Sequence, residues 1–305
     1  MKSEAQLQLW PNEVPDGAVV KSHDPTFLDN MRQPVHRWFR FSAGYSGAWV
    51  ETLLKAPCFP DGGTVLDPFA GSGTTLLAAD AAGVQSIGIE AHPFVTRIAQ
   101  AKLAWNYSPT ELQSHAAAVL SYAQCLPRSV GEYPKLISVC FPDEVLADLN
   151  ALRTAWDRID AADPARELTW LAITSSLRRC SPVGTANMEL IQPKKRKTGV
   201  VHPFAAFRQA VAQIAADMQL LRHHPTAKPL ATLYQADARR CHALPIDGVD
   251  LVVTSPPYAN NFDYADALRL EMTFWGVVRG WADLHPSVRR HLLVSCSQHA
   301  SAEKL

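Results

Sequence analysis

The sequence predicts an α/β protein built on a parallel sheet, with a block of helices inserted between its two halves. Three observations predict it. A short strand breaks at Asp67 into a glycine-rich turn that opens an Ala-rich helix; a second apolar run closes on Glu90; and, after a long helical stretch, two further β-rich runs end near Asp237 and Ser255. Short strands alternating with helices need crossover connections, and crossovers make neighbouring strands parallel.

The 305 residues are 47% hydrophobic and 19% charged, enough to bury a sizeable core. Lys+Arg and Asp+Glu stand at 29 each, so there is no global basic field, and any contact with nucleic acid must come from local clusters. The six cysteines, Cys58, Cys125, Cys140, Cys180, Cys241 and Cys296, form no C-x-x-C pair, which points to reduced thiols rather than a zinc knuckle or a disulfide framework. The first residues, MKSEAQLQLW, lack the apolar run of a signal peptide, and no stretch reaches the roughly 18 apolar residues of a membrane span. A cytoplasmic protein is expected.

In chain order, residues 1–35 are rich in Pro, Asp and Asn without sustained periodicity and predict an arm. Residues 36–105 form the first half of the sheet domain. Trp49, Val50, Leu53 and Leu54 recur at helical spacing, the turn Pro60 to Gly63 leads into the strand Thr-Val-Leu-Asp67, and the following helix ends at Gly83 as its C-cap. The run Ser86 to Ile89 is a second strand, and an Ala-rich helix follows to about Trp105. Residues 106–230 read as a helical insertion, with patterns at Asp143 to Ile159, Glu167 to Arg179 and Phe204 to Leu221. Within it, Lys194, Lys195, Arg196 and Lys197 stand in a segment with no period, which predicts a basic loop. Residues 231–305 supply the second half: ATLYQAD, then DLVVTSPPY, then one helical pattern from 263 to 281.

Asp67-Pro-Phe-Ala-Gly-Ser-Gly-Thr74 lets backbone amides approach a ligand at a helix N-terminus, a cofactor cradle. It lacks the Gly-Lys-Ser/Thr ending of a phosphate loop and the G-x-G-x-x-G of a dinucleotide fold; by itself it could be a plain strand-to-helix turn. Glu90 lies 23 positions past Asp67, near the ~20-residue offset at which such folds bind ribose hydroxyls, or is an ordinary helix-capping glutamate. Asp237 could accept from an adenine amine, with Ala238 against the ring, or could serve as a turn residue. In Thr254-Ser-Pro-Pro-Tyr258, two prolines end the strand rigidly. The Ser255 hydroxyl and the Pro256 carbonyl can both accept from a substrate amine, and the Tyr258 ring offers a stacking face. The alternative is a tight loop with a buried tyrosine.

Taken together and in this order, DPFAGSGTT, the acidic second-strand end, QAD and TSPPY resemble the motif set of the amino-directed DNA methyltransferases. The likeness extends from about His36 to Trp281. It implies an S-adenosylmethionine-dependent, Rossmann-like methyltransferase sheet and the chemistry of restriction-modification systems, with DNA as the partner and no metal. By this resemblance Asp67, Phe69, Ala70, Gly71, Gly73 and Thr74 would hold the methionine part of S-adenosylmethionine, with Phe41 and Ser42 from the preceding segment. Glu90 would hold the ribose, and Asp237 and Ala238 the adenine. Ser255, Pro256, Pro257 and Tyr258 would act on a base flipped from the duplex, and serine at the first of these positions implies cytosine N4 rather than adenine N6. Cytosine C5 chemistry would need a Pro-Cys nucleophile; Pro57-Cys58 is such a dipeptide but precedes the cofactor strand.

Two departures from the family pattern stand out. The helical block lies where a compact member has a short connection; its basic tetrad would suit phosphate contacts, or a solvated surface. Fewer elements follow TSPPY than the three strands the fold normally adds, which implies that a longer parent chain or a second polypeptide completes the sheet. An adenine N6 enzyme, an RNA guanine-amine methyltransferase and a non-catalytic DNA-binding subunit remain open alternatives at this level.

Overall fold

The computed structural model describes residues 27–186, 190–222, 230–258 and 262–293. Most of the expected arm, residues 1–26, and the end of the chain, with Cys296, lie outside the described residues. Two short 3-10 helices, Phe27–Arg32 and His36–Trp38, lead into α1 (Gly47–Leu54), whose N-cap Ser46 accepts from the Trp49 amide. Then come β1 (Thr64–Asp67), α2 (Thr74–Ala82), β2 (Gln85–Glu90) and α3 (Pro93–Leu103). Gly83, at φ 71°, closes α2 in the left-handed conformation expected of a C-cap glycine.

The middle of the chain holds α4 (Pro109–Cys125), α5 (Lys135–Cys140), α6 (Asp143–Arg158), α7 (Asp163–Cys180) and α8 (Pro203–Arg222). Between α7 and α8 stands a small antiparallel pair, β3 (Val183–Thr185) and β4 (Ile191–Arg196). This corrects the expected basic loop: Lys194, Lys195 and Arg196 lie on a strand, and Lys197 directly follows it. Side-chain periodicity could not reveal this strand because nearly all of β4 is exposed, so no buried face imposes alternation.

The last part contains β5 (Ala231–Gln235), β6 (Leu251–Val252), α9 (Arg269–Phe274) and α10 (Trp281–Ser287). The single helix expected over 263–281 is shorter: within that span only the 3-10 turn Asp266–Leu268 and α9 are helical, and α10 begins at its last residue. Gly276 sits at φ 77°, and the Arg153 guanidinium takes up the Phe274 carbonyl at the end of α9. Among the described residues no strand follows β6, and no helix is long and apolar enough to cross a membrane.

The sheet has the order β5-β2-β1-β6, and every pairing is parallel. This is the α/β parallel arrangement that the sequence predicts. Its register sets Asp67 opposite Gly88 and Glu90 opposite Gln235, so the C-terminal ends of the four strands meet along one edge. In open parallel sheets the ligand crevice lies outside that edge. Gly88 permits the close packing beneath it: a Cβ there would meet Leu76 Cδ1 at 2.8 Å and the Ala70 Cβ at 3.0 Å. Two apolar clusters hold the fold. A smaller one joins α1, α2, β1 and the end of β6 through Val50, Val65, Ala78 and Val253. The larger unites α3 with the helical block and α9 through Ile98, Leu149, Trp170, Phe207 and Phe274. The inserted helices therefore share their core with the sheet domain.

Candidate active site

β1 ends in a turn shaped by glycines. Gly71, at φ 54°, and Gly73, at φ 89°, take conformations that cost a side-chain-bearing residue energy, and Gly73 is the N-cap of α2. The turn is tied to β2: the Ala70 amide donates to the Ile89 carbonyl at 3.0 Å and the Gly71 amide to Glu90 Oε2 at 2.8 Å. Together with the segment Phe41 to Tyr45 and the ends of β2, β5 and β6, the turn surrounds an open cavity of about 830 Å³.

Of the residues singled out by sequence, Phe41, Phe69, Ala70, Gly71, Thr74, Glu90, Asp237, Ala238, Ser255 and Pro257 line this one cavity. Ser42, Asp67, Gly73, Pro256 and Tyr258 do not line it: Asp67 is buried beneath the cradle, and Pro256 and Tyr258 are exposed, Tyr258 to 60%. The expected alternative of a buried tyrosine is thereby corrected: two prolines turn the chain outward, and the Tyr258 amide donates to the Tyr264 hydroxyl at 3.1 Å. The basic residues 194–197 do not line the cavity.

Asp67 is fully buried and accepts from four donors: the Phe69 amide at 3.0 Å, Tyr45 Oη at 2.9 Å, Thr75 Oγ1 at 2.9 Å and Thr254 Oγ1 at 2.7 Å. Burial raises its pKa and these donors oppose the rise. It acts as a strut between the cradle and the end of β6. Glu90 is held by the amides of Gly71 and His92, the latter at 2.7 Å. Although part of its surface opens on the cavity, desolvation pushes its carboxyl up to about 7 against those two bonds. Asp237 is drawn the other way: Arg239 forks onto it at 2.5 to 3.0 Å and holds its pKa below the usual carboxylate range.

Sequence reasoning missed several members of this site. Tyr45 stands in no motif, Thr75 and Thr254 stand in DPFAGSGTT and TSPPY without a role of their own, and only the fold brings all three onto Asp67. Tyr264, His291, Leu292 and Leu293 complete the cavity from the end of the described chain, fastened there by Arg289, whose guanidinium pairs with Asp263. His92 is 2% exposed, lines the cavity, and has no hydrogen-bond partner at either ring nitrogen among the described residues. Burial lowers its pKa to about 4, so the ring is a neutral donor-acceptor pair at pH 7. Its signal in the sequence was only its place two residues after Glu90.

A cavity with a buried carboxylate, a neutral imidazole and apolar walls suits a polar ligand with an apolar ring. Comparison with known proteins agrees in kind. A family model described as DNA methylase matches residues 3–101. The Type II methyltransferase M.BsoBI of Geobacillus stearothermophilus is 26% identical over 280 residues, covering 83% of this chain and 55% of the relative. The Type II methyltransferase M.AvaI of a Nostoc species is 35% identical over 77 residues, 25% of this chain and 16% of the relative. The Type II methyltransferase M.ScaI of Streptomyces caespitosus is 50% identical over 48 residues, 16% of each chain. The chain thus spans about half the length of M.BsoBI. No solved structure matches it significantly.

Proposed function

We propose, starting from the likeness of residues 3–101 to a DNA methylase family model and of most of the chain to a Type II methyltransferase, that the chain is an amino-directed DNA methyltransferase, that its cavity binds S-adenosylmethionine and that its TSPPY loop directs methyl transfer to cytosine N4 in DNA. One observation carries the reading: the cradle, Glu90, Asp237 and Ser255 come from four different strand ends and line a single cavity. The residues fit such a cofactor. Phe69, Ala70, Gly71 and Thr74 would hold its methionine part, Glu90 its ribose hydroxyls, and Asp237 and Ala238 its adenine. When bound, S-adenosylmethionine supplies an electrophilic methyl on sulfur.

The chain's own groups do the rest. The Ser255 hydroxyl and the Pro256 carbonyl accept hydrogen bonds from the target amine, which favours a tetrahedral nitrogen and aims its lone pair. Tyr258, which is exposed, gives a stacking face to a base leaving the duplex at a cost of a few kcal/mol. The Thr254 bond to Asp67 fixes the loop relative to the cradle, so catalysis rests on positioning and electrostatics rather than on a covalent enzyme intermediate. The choice of cytosine N4 rests on Ser255 standing where adenine-directed members of the family mostly carry aspartate.

The test is transfer of a tritiated methyl from S-adenosylmethionine to unmethylated DNA by wild type, Ser255→Ala and Tyr258→Ala, with the product digested to nucleosides. Labelled N4-methylcytosine that is lost in both variants supports the reading. Labelled N6-methyladenine would overturn the target, and cofactor binding without any transfer would overturn catalysis by this chain.

A further inference from the structure

Beside the cofactor cavity lies a second opening, of about 1120 Å³, lined by Arg37, Arg40, Arg178 and Arg179 and by one acidic side chain, Glu271. Two chain segments run from one opening to the other. Phe39 and Arg40 line the second while Phe41 lines the first, and Glu271 belongs to the same stretch as the cavity residue Tyr264. The two openings meet along the segment Phe39 to Phe41, whose consecutive residues line one and then the other.

Two of the four arginines of the second opening are paired with buried carboxylates. The Arg178 guanidinium is committed to the buried Glu271, bonding Oε2 at 2.9 Å, and Arg37 pairs with the buried Asp217. Arg179, which is exposed, reaches only the neutral amide of Gln209 among its described partners. The hairpin of β3 and β4 is tied to the end of α7, which carries Arg178 and Arg179. Lys197 Nζ donates to the Arg178 carbonyl, and Lys194, Lys195 and Arg196 are exposed beside it. Basic side chains from three distant parts of the sequence thus converge next to the site.

We infer that the arginine-lined opening and the basic hairpin form the track that holds the sugar-phosphate backbone of duplex DNA beside the cofactor cavity. Guanidinium forks match phosphate oxygens in pairs, and a cleft next to the reactive loop lets the same duplex reach both. This assignment rests on the proposed action on DNA, and goes beyond it by naming the surface. Phosphate contacts position a duplex without reading its sequence, so the effect should be uniform across sequences and strongly salt-dependent.

The experiment is fluorescence anisotropy of the full chain with a labelled duplex of mixed sequence over a salt series, alongside S-adenosylmethionine affinity by calorimetry. The double variant Arg179→Gln with Lys194→Gln should lose duplex affinity on the order of 10- to 100-fold at low salt and flatten the log-log salt slope by about 1.8, with cofactor affinity retained. Lys55→Gln, at the C-cap of α1 and outside the opening, should change neither quantity. Unchanged affinity and slope in the double variant, an equal loss in Lys55→Gln, or tighter binding of a single-stranded RNA would each overturn the inference. Duplex binding is read without methyl transfer: a chain that binds through this surface but transfers nothing sinks the catalytic reading alone, and one that binds no duplex sinks this one.

Discussion

The Thr254 hydroxyl donates a 2.7 Å hydrogen bond to Asp67, joining the residue before the Ser-Pro-Pro-Tyr loop to the last residue of the cofactor strand across 187 positions of sequence. The two halves of the site are thereby set at a fixed distance. Because Asp67 is buried, each donor it loses leaves unsatisfied capacity in a dry environment.

Thr254→Val keeps the shape and removes that donor. Thermal unfolding should show a loss of about 1–2 kcal/mol, and methyl transfer should fall more steeply than cofactor affinity, because the loop rather than the cradle loses its anchor. Asp67→Ala, which strands Tyr45, Thr75, Thr254 and the Phe69 amide together, should cost more, about 3–5 kcal/mol. Equal stability of Asp67→Ala and wild type would refute the strut.

Glu90 makes cofactor affinity depend on pH. Its carboxyl is raised to about 7, and ribose hydroxyls would donate to the charged form, so binding should weaken as pH falls through about 7 and strengthen above it. Calorimetric titration from pH 6 to pH 8 reads this, and Glu90→Gln should flatten the profile. Without ligand the sign for stability is the opposite. The folded state holds the Glu90 proton more tightly than the unfolded chain, so stability falls as pH rises from the ordinary carboxylate range to about 7.

His92, buried in the cavity wall with both nitrogens unpartnered among the described residues, presents a donor and an acceptor to whatever fills the cavity. His92→Phe should keep the fold, since it exchanges one buried ring for another, yet weaken S-adenosylmethionine binding by about tenfold, the worth of one ordinary hydrogen bond. His92→Gln should recover part of it. Identical affinity in all three proteins would show that the imidazole faces the ligand without bonding to it.

Gly71→Ala places a side chain at φ 54° and sets its Cβ 3.2 Å from the Phe41 ring. The conformational cost is about 1–2 kcal/mol, and the displaced ring and amide should lower cofactor affinity along with the melting temperature. A melting temperature within a degree of wild type would show that the turn relaxes freely.

Much of the fold was legible in order and type because local chemistry announces it. Apolar runs ending in Asp67 and Glu90, and prolines after Thr254, mark strand ends with few alternatives. The hairpin carrying Lys194 to Arg196 was not legible, because its strands are made by backbone pairing on an exposed edge. The end of α9 was hidden too: apolar spacing runs on past Phe274, and only the position of Arg153, more than a hundred residues earlier, shows what closes the helix.

The sequence by itself determined the strand-turn-helix cradle, the order of the motifs and the identity of the residues at the strand ends, since each depends on neighbours a few positions away. Tertiary structure alone decided which of them share a cavity. It buried Asp67 beneath the cradle as a strut, left Tyr258 exposed, and brought His92 and Tyr264 to the lining. The reason is physical: strand ends separated by helices meet only through the register of a parallel sheet, and the burial that empties the His92 hydrogen bonds or raises the Glu90 carboxyl is a property of the packed chain, not of any segment of it.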